Sequence, residues 1–512
     1  MKIKNILKSM LLASMLLFTT SSCSDWLNVD MEDAIMEDKL YETNEGFLAS
    51  LNGVYTKMNE TYSSTLGMGI IDAMAQYYDI AQNSNHIYYI YSQYNFSENT
   101  FESTSGNVWT NLYSLIANLN TLLEHCDNAN SALKPHYYPY VKGEALALRA
   151  MIHFDLLRIY GPIYSQETAS TISIPYQETT QKDIQPLLPA QEVINKVIRD
   201  LNTASALLEN DKIREEGVMD KDSDDPNENL DLRYRQYRLN YFAIQSLLAR
   251  VYLWTGNKAK AYEVAHAIIT ENAQNSIFPW TEKSAVQNHD MPDRLFSTEV
   301  IFGLYNQSRV KLFDQLFKPT TRISYSLNFT GESMNEGDEE SKITYFYLDT
   351  DDLRRAMWNV ETLEETDEFG SSTTHKAVCF NKYMDVSTNK AFRYMIPLIR
   401  MSEIYLIAAE CTDDLTEAIG YVNAVRKNRN CVDIDLQESD TKEKIQEYIT
   451  NEFAREVIGE GQLYFYYKRH AMTSTMSGTS FGLWYSGYDD MSLQNYVWPL
   501  PKVEIDKRVT SK

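Results

Sequence analysis

The sequence predicts an all-α protein: tetratricopeptide-like helical pairs forming a scaffold, with a large irregular insertion and short β-hairpins. Three observations carry that expectation. The first is Arg238 to Ile269, which reads as two helices joined by a tight turn. Ile244, Leu247, Leu248 and Val251 recur at i, i+3, i+4 and i+7, and Gly256-Asn257 supplies a left-handed stop. Leu248, Ala249, Tyr252, Gly256 and Ala261 stand at tetratricopeptide spacing, where small residues let two backbones approach. Such a hairpin cannot bury both faces alone, so it predicts neighbours of its own kind. The second observation is Tyr140 to Tyr160, a helix with apolar residues on two stripes, which must pack on both sides. The third is a loss of helical periodicity over about 275–394, where Lys376 to Tyr383 alternates as a hairpin strand does.

In chain order, Lys2, Lys4 and Lys8 precede a short apolar run ending at Phe18, then Thr19 to Ser22, then Cys23. This reads as a signal peptide over 1–22, with Cys23 as the acylated first residue of a bacterial lipoprotein. Thr20 stands where a leucine-like residue is usual, and plain secretion with an incidental Cys23 is the alternative. A tether, 23–43, leads to one domain over 44–512. Helical repeats are expected over about 44–274 and 395–460, the irregular insertion between them, and an irregular C-terminal segment over 461–512. The first helix is Asn44 to Tyr62; residues 63–107 read as a long aromatic-rich loop; Trp109 to Cys126 is helical. Gly161-Pro162 stops the two-striped helix, and another follows over Gln191 to Glu209. Beyond the insertion, helices are expected at Ile399 to Cys411, Leu415 to Asn428 and Glu443 to Ile458.

Whole-chain numbers exclude some classes. The 512 residues carry a formal net charge of −24, unsuited to the phosphates of nucleic acid. Past the N-terminus no apolar run reaches membrane-span length. The thirty-six tyrosines suit a wet, sugar- or peptide-facing surface, or else fill helix interfaces. Cys411 and Cys431 stand at the ends of consecutive helices, on the order of 25 Å apart, too far for a disulfide. Buried free thiols are expected.

Catalytic and metal motifs are missing. The eight histidines include no HExxH pair, and neither GxSxG nor a phosphate loop occurs. No cofactor or metal is expected, and no enzyme. Arg149 and His153, four apart on an apolar helix, read as a structural hydrogen-bond pair. Glu452, Arg455 and Glu456 read as a solvated or interfacial ion-pair face. Asp220, Asp222 and Asp224, with Glu228 and Asp231, have calcium-loop spacing, but Asp225 replaces the required Gly and Pro226 follows. An acidic linker fits better.

Several segments resemble one family. Cys23 followed by SDWLN, RAMIHFDLLRIYGPI from Arg149, SLLARVYLWTGNKAKA from Ser246, IRMSEIYLIAAE from Ile399, AIGYVNAVRKNR from Ala418 and VWPLPKVEI from Val497 resemble the SusD/RagB outer-membrane lipoproteins, in order and nearly end to end. One segment departs: Glu460 to His470 reads EGQLYFYYKRH, with tyrosines where the family carries an Arg-Trp-Phe-Asp centre. The resemblance implies binding rather than catalysis. It implies a SusC-like TonB-dependent channel as partner, oligosaccharide or oligopeptide as cargo, and a lipid anchor at the outer membrane, facing the cell surface. A helical scaffold that binds only protein is the rival reading. Sugar rings lie on aromatic faces while amides and carboxylates take their hydroxyls. The candidates for such faces are the loop aromatics Tyr77, Tyr78, Tyr88, Tyr89, Tyr91, Trp280 and Trp358; Trp109 and Trp254 are expected in the core.

Overall fold

The structure is a computed structural model. It describes residues 39–510 apart from 81–83, 222–231, 319–323, 328, 331–342, 344–345, 367–370, 389 and 478–487. Cys23, the signal peptide, most of the tether and all but Asp220 of the acidic spacing therefore lie outside the described residues.

The scaffold helices are α1 (Asn44–Tyr62), α2 (Asn99–Cys126), α3 (Tyr138–Tyr160), α4 (Ala190–Leu207), α5 (Tyr241–Trp254) and α6 (Lys258–Asn275). Then come strand β1 (Val300–Tyr305), helix α7 (Arg309–Leu316), and strands β2 (Phe329–Thr330), β3 (Trp358–Thr366), β4 (Ser372–Phe380) and β5 (Met395–Arg400). Helices α8 (Met401–Cys411), α9 (Leu415–Lys427), α10 (Lys442–Glu456) and α11 (Leu463–Arg469), strands β6 (Ser474–Met476) and β7 (Tyr488–Asp490), and helix α12 (Lys502–Thr510) complete it.

Polar side chains start the helices where the sequence offers them. Thr43 accepts from the Gly46 amide, Asn240 from Ala243, Asn257 from Lys260, and Asp414 from Thr416 and Glu417. Gly256, at φ +75°, turns α5 into α6. The helices then stack: α2 on α3, α3 on α4, α4 on α5, α5 on α6. Helix α6 packs directly on α8, although residues 276–400 separate them in sequence. Helix α8 packs on α9, and α9 on α10. The insertion thus leaves the stack continuous, as a repeat scaffold requires.

Helix α3 is buried on all sides, and each buried polar group on it has a partner. Arg149 pairs with Asp200 at 2.7 Å. His153 donates from Nδ1 to the Arg149 carbonyl at 2.8 Å and accepts the Gln177 amide at Nε2. Burial pushes that imidazole down to about 3, so it is a neutral structural group. Glu144 pairs with the equally buried Arg235 at 2.7 Å.

Two expectations need correction, and a third resolves to one of its two alternatives. Residues 63–107 are not a long loop: a π-turn spans Ser64–Met68, short helices span Ile70–Met74 and Tyr89–Ser92, and α2 begins at Asn99. The first turns of α2 are poor in helix formers, but Phe101 packs edge-on against Trp498 at 4.9 Å and holds them. The segment from 461 on is not simply irregular, since it contains α11, the β6–β7 hairpin and α12. Finally, the Glu452–Glu456 face is interfacial but not solvated. Arg429 reaches Glu299 and Glu456 at 2.7 Å, Arg354 reaches Asp352, Glu452 and Glu456, and Arg400 reaches Glu456 and Glu460. Every side chain in this set is essentially buried. Burial alone would raise the Glu456 carboxyl, but Arg429, Arg400 and Arg354 hold it well below the usual carboxylate range. The network ties the insertion to α9 and α10.

The segment that departs from the family pattern lies in the core. Glu460 takes Lys382 at 2.6 Å and Arg400 at 2.7 Å. A side chain at Gly461 would meet the Leu66 carbonyl at 1.8 Å. Lys468 donates to the carbonyls of Arg158 and Gly161, capping the end of α3. Tyr464, Tyr466 and Tyr467 are buried among these contacts. The strands form three small antiparallel sheets: β1–β5, β2–β4–β3 and β6–β7. Cys126 and Cys431 are buried free thiols as expected, Cys379 is buried, and Cys411 is free but only half-buried.

Candidate ligand-binding cleft

A cleft of about 630 Å³ opens on the insertion. That volume lies within the range of small-ligand sites. Helix α7 supplies Val310, Phe313 and Asp314, with Lys318 just beyond it. The start of β3 supplies Trp358 and Asn359, and the chain leaving β4 supplies Asn381, Met384 and Asp385. Arg294 closes one side. Backbone bonds fix the floor: the Asn381 amide donates to the Met357 carbonyl at 2.6 Å, and Met384 to Asn381 at 3.1 Å. The wall therefore mixes apolar edges with two amides and two carboxylates. This set can hold the C–H face of a sugar ring and take its hydroxyls.

From Asp385 a chain of side-chain contacts runs to the exposed Tyr305. Asp385 pairs with Arg393 at 2.7 Å, and Arg393 holds its carboxyl below the usual range. The Arg393 guanidinium lies 5.3 Å over the Tyr394 ring. Tyr394 meets Tyr305 at 5.4 Å, and Tyr305 meets Tyr237 at 5.5 Å, both edge-on. Tyr305 is 43% exposed, an open ring held upright by its neighbours. Nothing in the sequence singles out Tyr305, because it ends a strand, β1, whose other residues are buried.

The aromatics expected at the site are dispersed. Trp358 lines the cleft but is 5% exposed, tilted against Phe380 at 4.8 Å, so it offers an edge rather than a face. Trp280 is half-buried against Tyr405 at 5.1 Å, with the Arg429 guanidinium 5.5 Å over its ring. Tyr77 and Tyr78 are buried, their hydroxyls donating to the carbonyls of Ala454 and Met68. Tyr88 and Tyr91 belong to a buried chain of rings running through Phe101 to Trp498. Tyr89 is half-buried against the core. The faces of Tyr77, Tyr78, Tyr88 and Tyr91 are occupied by protein, because these side chains pack into the core instead of standing off it. Trp109 and Trp254 are buried as expected.

A second cleft of about 520 Å³ lies between α2, α3 and α4. Its charged residues already pair with one another, Arg149 with Asp200 and Arg199 with Glu178. No aromatic ring lines it among the described residues.

A helical-pair scaffold carrying a cleft on an insertion of mixed helix and strand defines the structural class. The comparisons narrow the class. Residues 25–218 match a family model described as starch-binding associating with outer membrane, and residues 314–509 match the SusD family model. The chain belongs to the SusD/RagB family. It is 21% identical over 487 residues to a SusD-like protein, P38, of Formosa agariphila, spanning 86% of each chain. A SusD superfamily structure from Bacteroides thetaiotaomicron superposes with TM-score 0.63 at 20% identity, covering 91% of this chain and 98% of that one. A SusD-like carbohydrate binding protein from Bacteroides vulgatus gives TM-score 0.63 at 18% identity, covering 90% and 96%. These likenesses establish the helical, tetratricopeptide-like fold.

Proposed function

We propose that the protein is a surface lipoprotein that captures oligosaccharides and delivers them to a TonB-dependent outer-membrane transporter of the SusC type. The observation that carries this reading is the cleft at Trp358 and Phe313, linked through Asp385, Arg393 and Tyr394 to the exposed Tyr305 ring. A cleft with an exposed ring linked to it suits a ligand several rings long, gripped at one end and laid along the surface at the other. The site is built for binding: its amides and carboxylates are positioned by turns and ion pairs. Family membership supports carbohydrate as the ligand and an outer-membrane setting, with anchoring through Cys23. On this reading Trp280, Tyr77, Tyr78, Tyr88, Tyr89 and Tyr91 serve as support, and Trp358 as an edge of the cleft.

Titration calorimetry with glycan and peptide panels tests the reading. Glycan binding is expected with dissociation constants on the order of micromolar to millimolar, since a shallow site must order a flexible, hydrated chain. Tyr305→Ala should weaken binding by about tenfold or more, the loss of one stacked ring. Its melting temperature should stay put, because that ring is half in solvent. Heat from peptides alone would shift the ligand class to oligopeptide. Association with the channel but with neither ligand would leave a protein-binding scaffold.

A further inference from the structure

The charges around the cleft do not cancel. Asp314 has Lys318 at 3.5 Å and Asp385 has Arg393 at 2.7 Å. Arg294 remains, and among the described residues no carboxylate pairs with it. Its Nε donates to the Ala356 carbonyl at 3.2 Å. Its Nη1 is closed off from solvent and meets no acceptor. An arginine has five N–H donors and usually lies against a carboxylate when partly buried. Partial burial accordingly pulls the pKa of this guanidinium down.

The residue is also held in place. Asp293, beside it, is buried and accepts from the amides of Leu295 and Ser297 and from the Ser297 hydroxyl, at 2.7–3.2 Å. Asp293 further donates its own amide to the Ala285 carbonyl at 2.9 Å. The turn that presents Arg294 is thus closed on both sides. In a chain of net charge −24, an unpaired cation fixed on the wall of a cleft is a local exception.

We propose that this cleft selects an anionic sugar, with Arg294 taking the carboxylate or sulfate of an acidic residue in the oligosaccharide. The proposal rests on the capture reading above and names its ligand class. With Nε bonded and Nη1 closed off, Nη2 is the nitrogen left to donate, and its charge-assisted bond suits an oxygen of either anion. A neutral sugar would leave the cation with hydroxyls alone.

The test uses the purified lipoprotein and matched probes: tetragalacturonate against its carboxyl-reduced form, and a sulfated carrageenan tetrasaccharide against its desulfated form. At least one anionic member should bind about tenfold more tightly than its neutral counterpart. That preference should shrink as salt rises from about 50 to about 500 mM, because the interaction is ionic. Arg294→Gln should erase the preference, and Arg294→Lys should keep part of it. Which of the two pairs shows the preference separates carboxylate from sulfate. Equal binding within both pairs, or a preference that survives Arg294→Gln, overturns the acidic-ligand proposal and leaves capture standing. Binding of none of the four overturns both. If Arg294→Gln fails to fold, Arg294→Lys and the salt dependence of the wild-type protein decide: a preference indifferent to both overturns the proposal.

Discussion

Glu456 touches three guanidinium groups and has almost no contact with water. Removing its charge takes one buried ion-pair partner from each of Arg354, Arg400 and Arg429 in a dry interior. Glu456→Gln should therefore cost about 3–5 kcal/mol of stability, read by denaturant unfolding. An exposed ion-pair face, the solvated one of the two alternatives the sequence leaves for this helix, would lose less than about 1 kcal/mol. The i, i+3, i+4 spacing of Glu452, Arg455 and Glu456 shows that the charges share a helix face. It does not show that arginines 27, 56 and 102 residues upstream of Glu456 fold onto that face. The aromatics teach the same limit. Tyrosine tolerates both core and surface, so a cluster of tyrosines marks neither. Trp358 reaches the cleft, while Tyr77 and Tyr78 bond backbone carbonyls in the interior.

At the scale of elements, the hairpin of α5 and α6 is as legible as any part of the chain. Leu248 is 4% exposed and Ala249 and Ala261 are fully buried, so the small residues do bring the backbones together. Tyr252 is half-buried, with Lys260 lying 5.3 Å over its ring. Leu248→Ala should cost about 2–5 kcal/mol through lost transfer energy and the cavity left behind. An unchanged melting temperature would mean that the hairpin is not packed against α4 and α8 as described. The boundaries of the other expected helices fall within a few residues of the apolar periodicity. The exception is the start of α2, where Ser, Thr, Gly and Asn carry no helical signal and a distant tryptophan supplies the contact.

Across the whole molecule, buried acids set the response to pH. Glu456, Glu410 and Asp352 are held below their ordinary values by arginines that outweigh the effect of burial. Their stabilisation is present above the unfolded-state carboxylate pKa, about 4, and is lost as pH falls through the folded-state values. Asp72 and Asp293 oppose this, because burial raises them and favours their protonated, folded form in acid. The depressed set has the more numerous ion pairs, so the melting temperature should fall steadily below about pH 4. A flat profile from neutral pH to about pH 3 would mean that the network is not ionised as drawn. Glu456→Gln should flatten the acid limb. For the anchor, Cys23→Ala should release the chain from membranes in cells lacking the transporter. No helix of the described residues is long and apolar enough to cross a membrane, so retention of that variant would contradict lipid anchoring.

Periodicity, stops and small-residue spacing in the sequence were enough for the helical pairs, the β-containing insertion, the free thiols and the family, because each depends on residues within one or two turns of one another. The stack across the insertion, the buried charge network and the cleft needed the tertiary structure. Arg294, Phe313, Asn359, Asn381 and Asp385 meet around one space from four separate segments, and no local pattern records that meeting. A tyrosine becomes a platform or a core filler according to what packs over it, and packing between distant segments is a property of the fold alone.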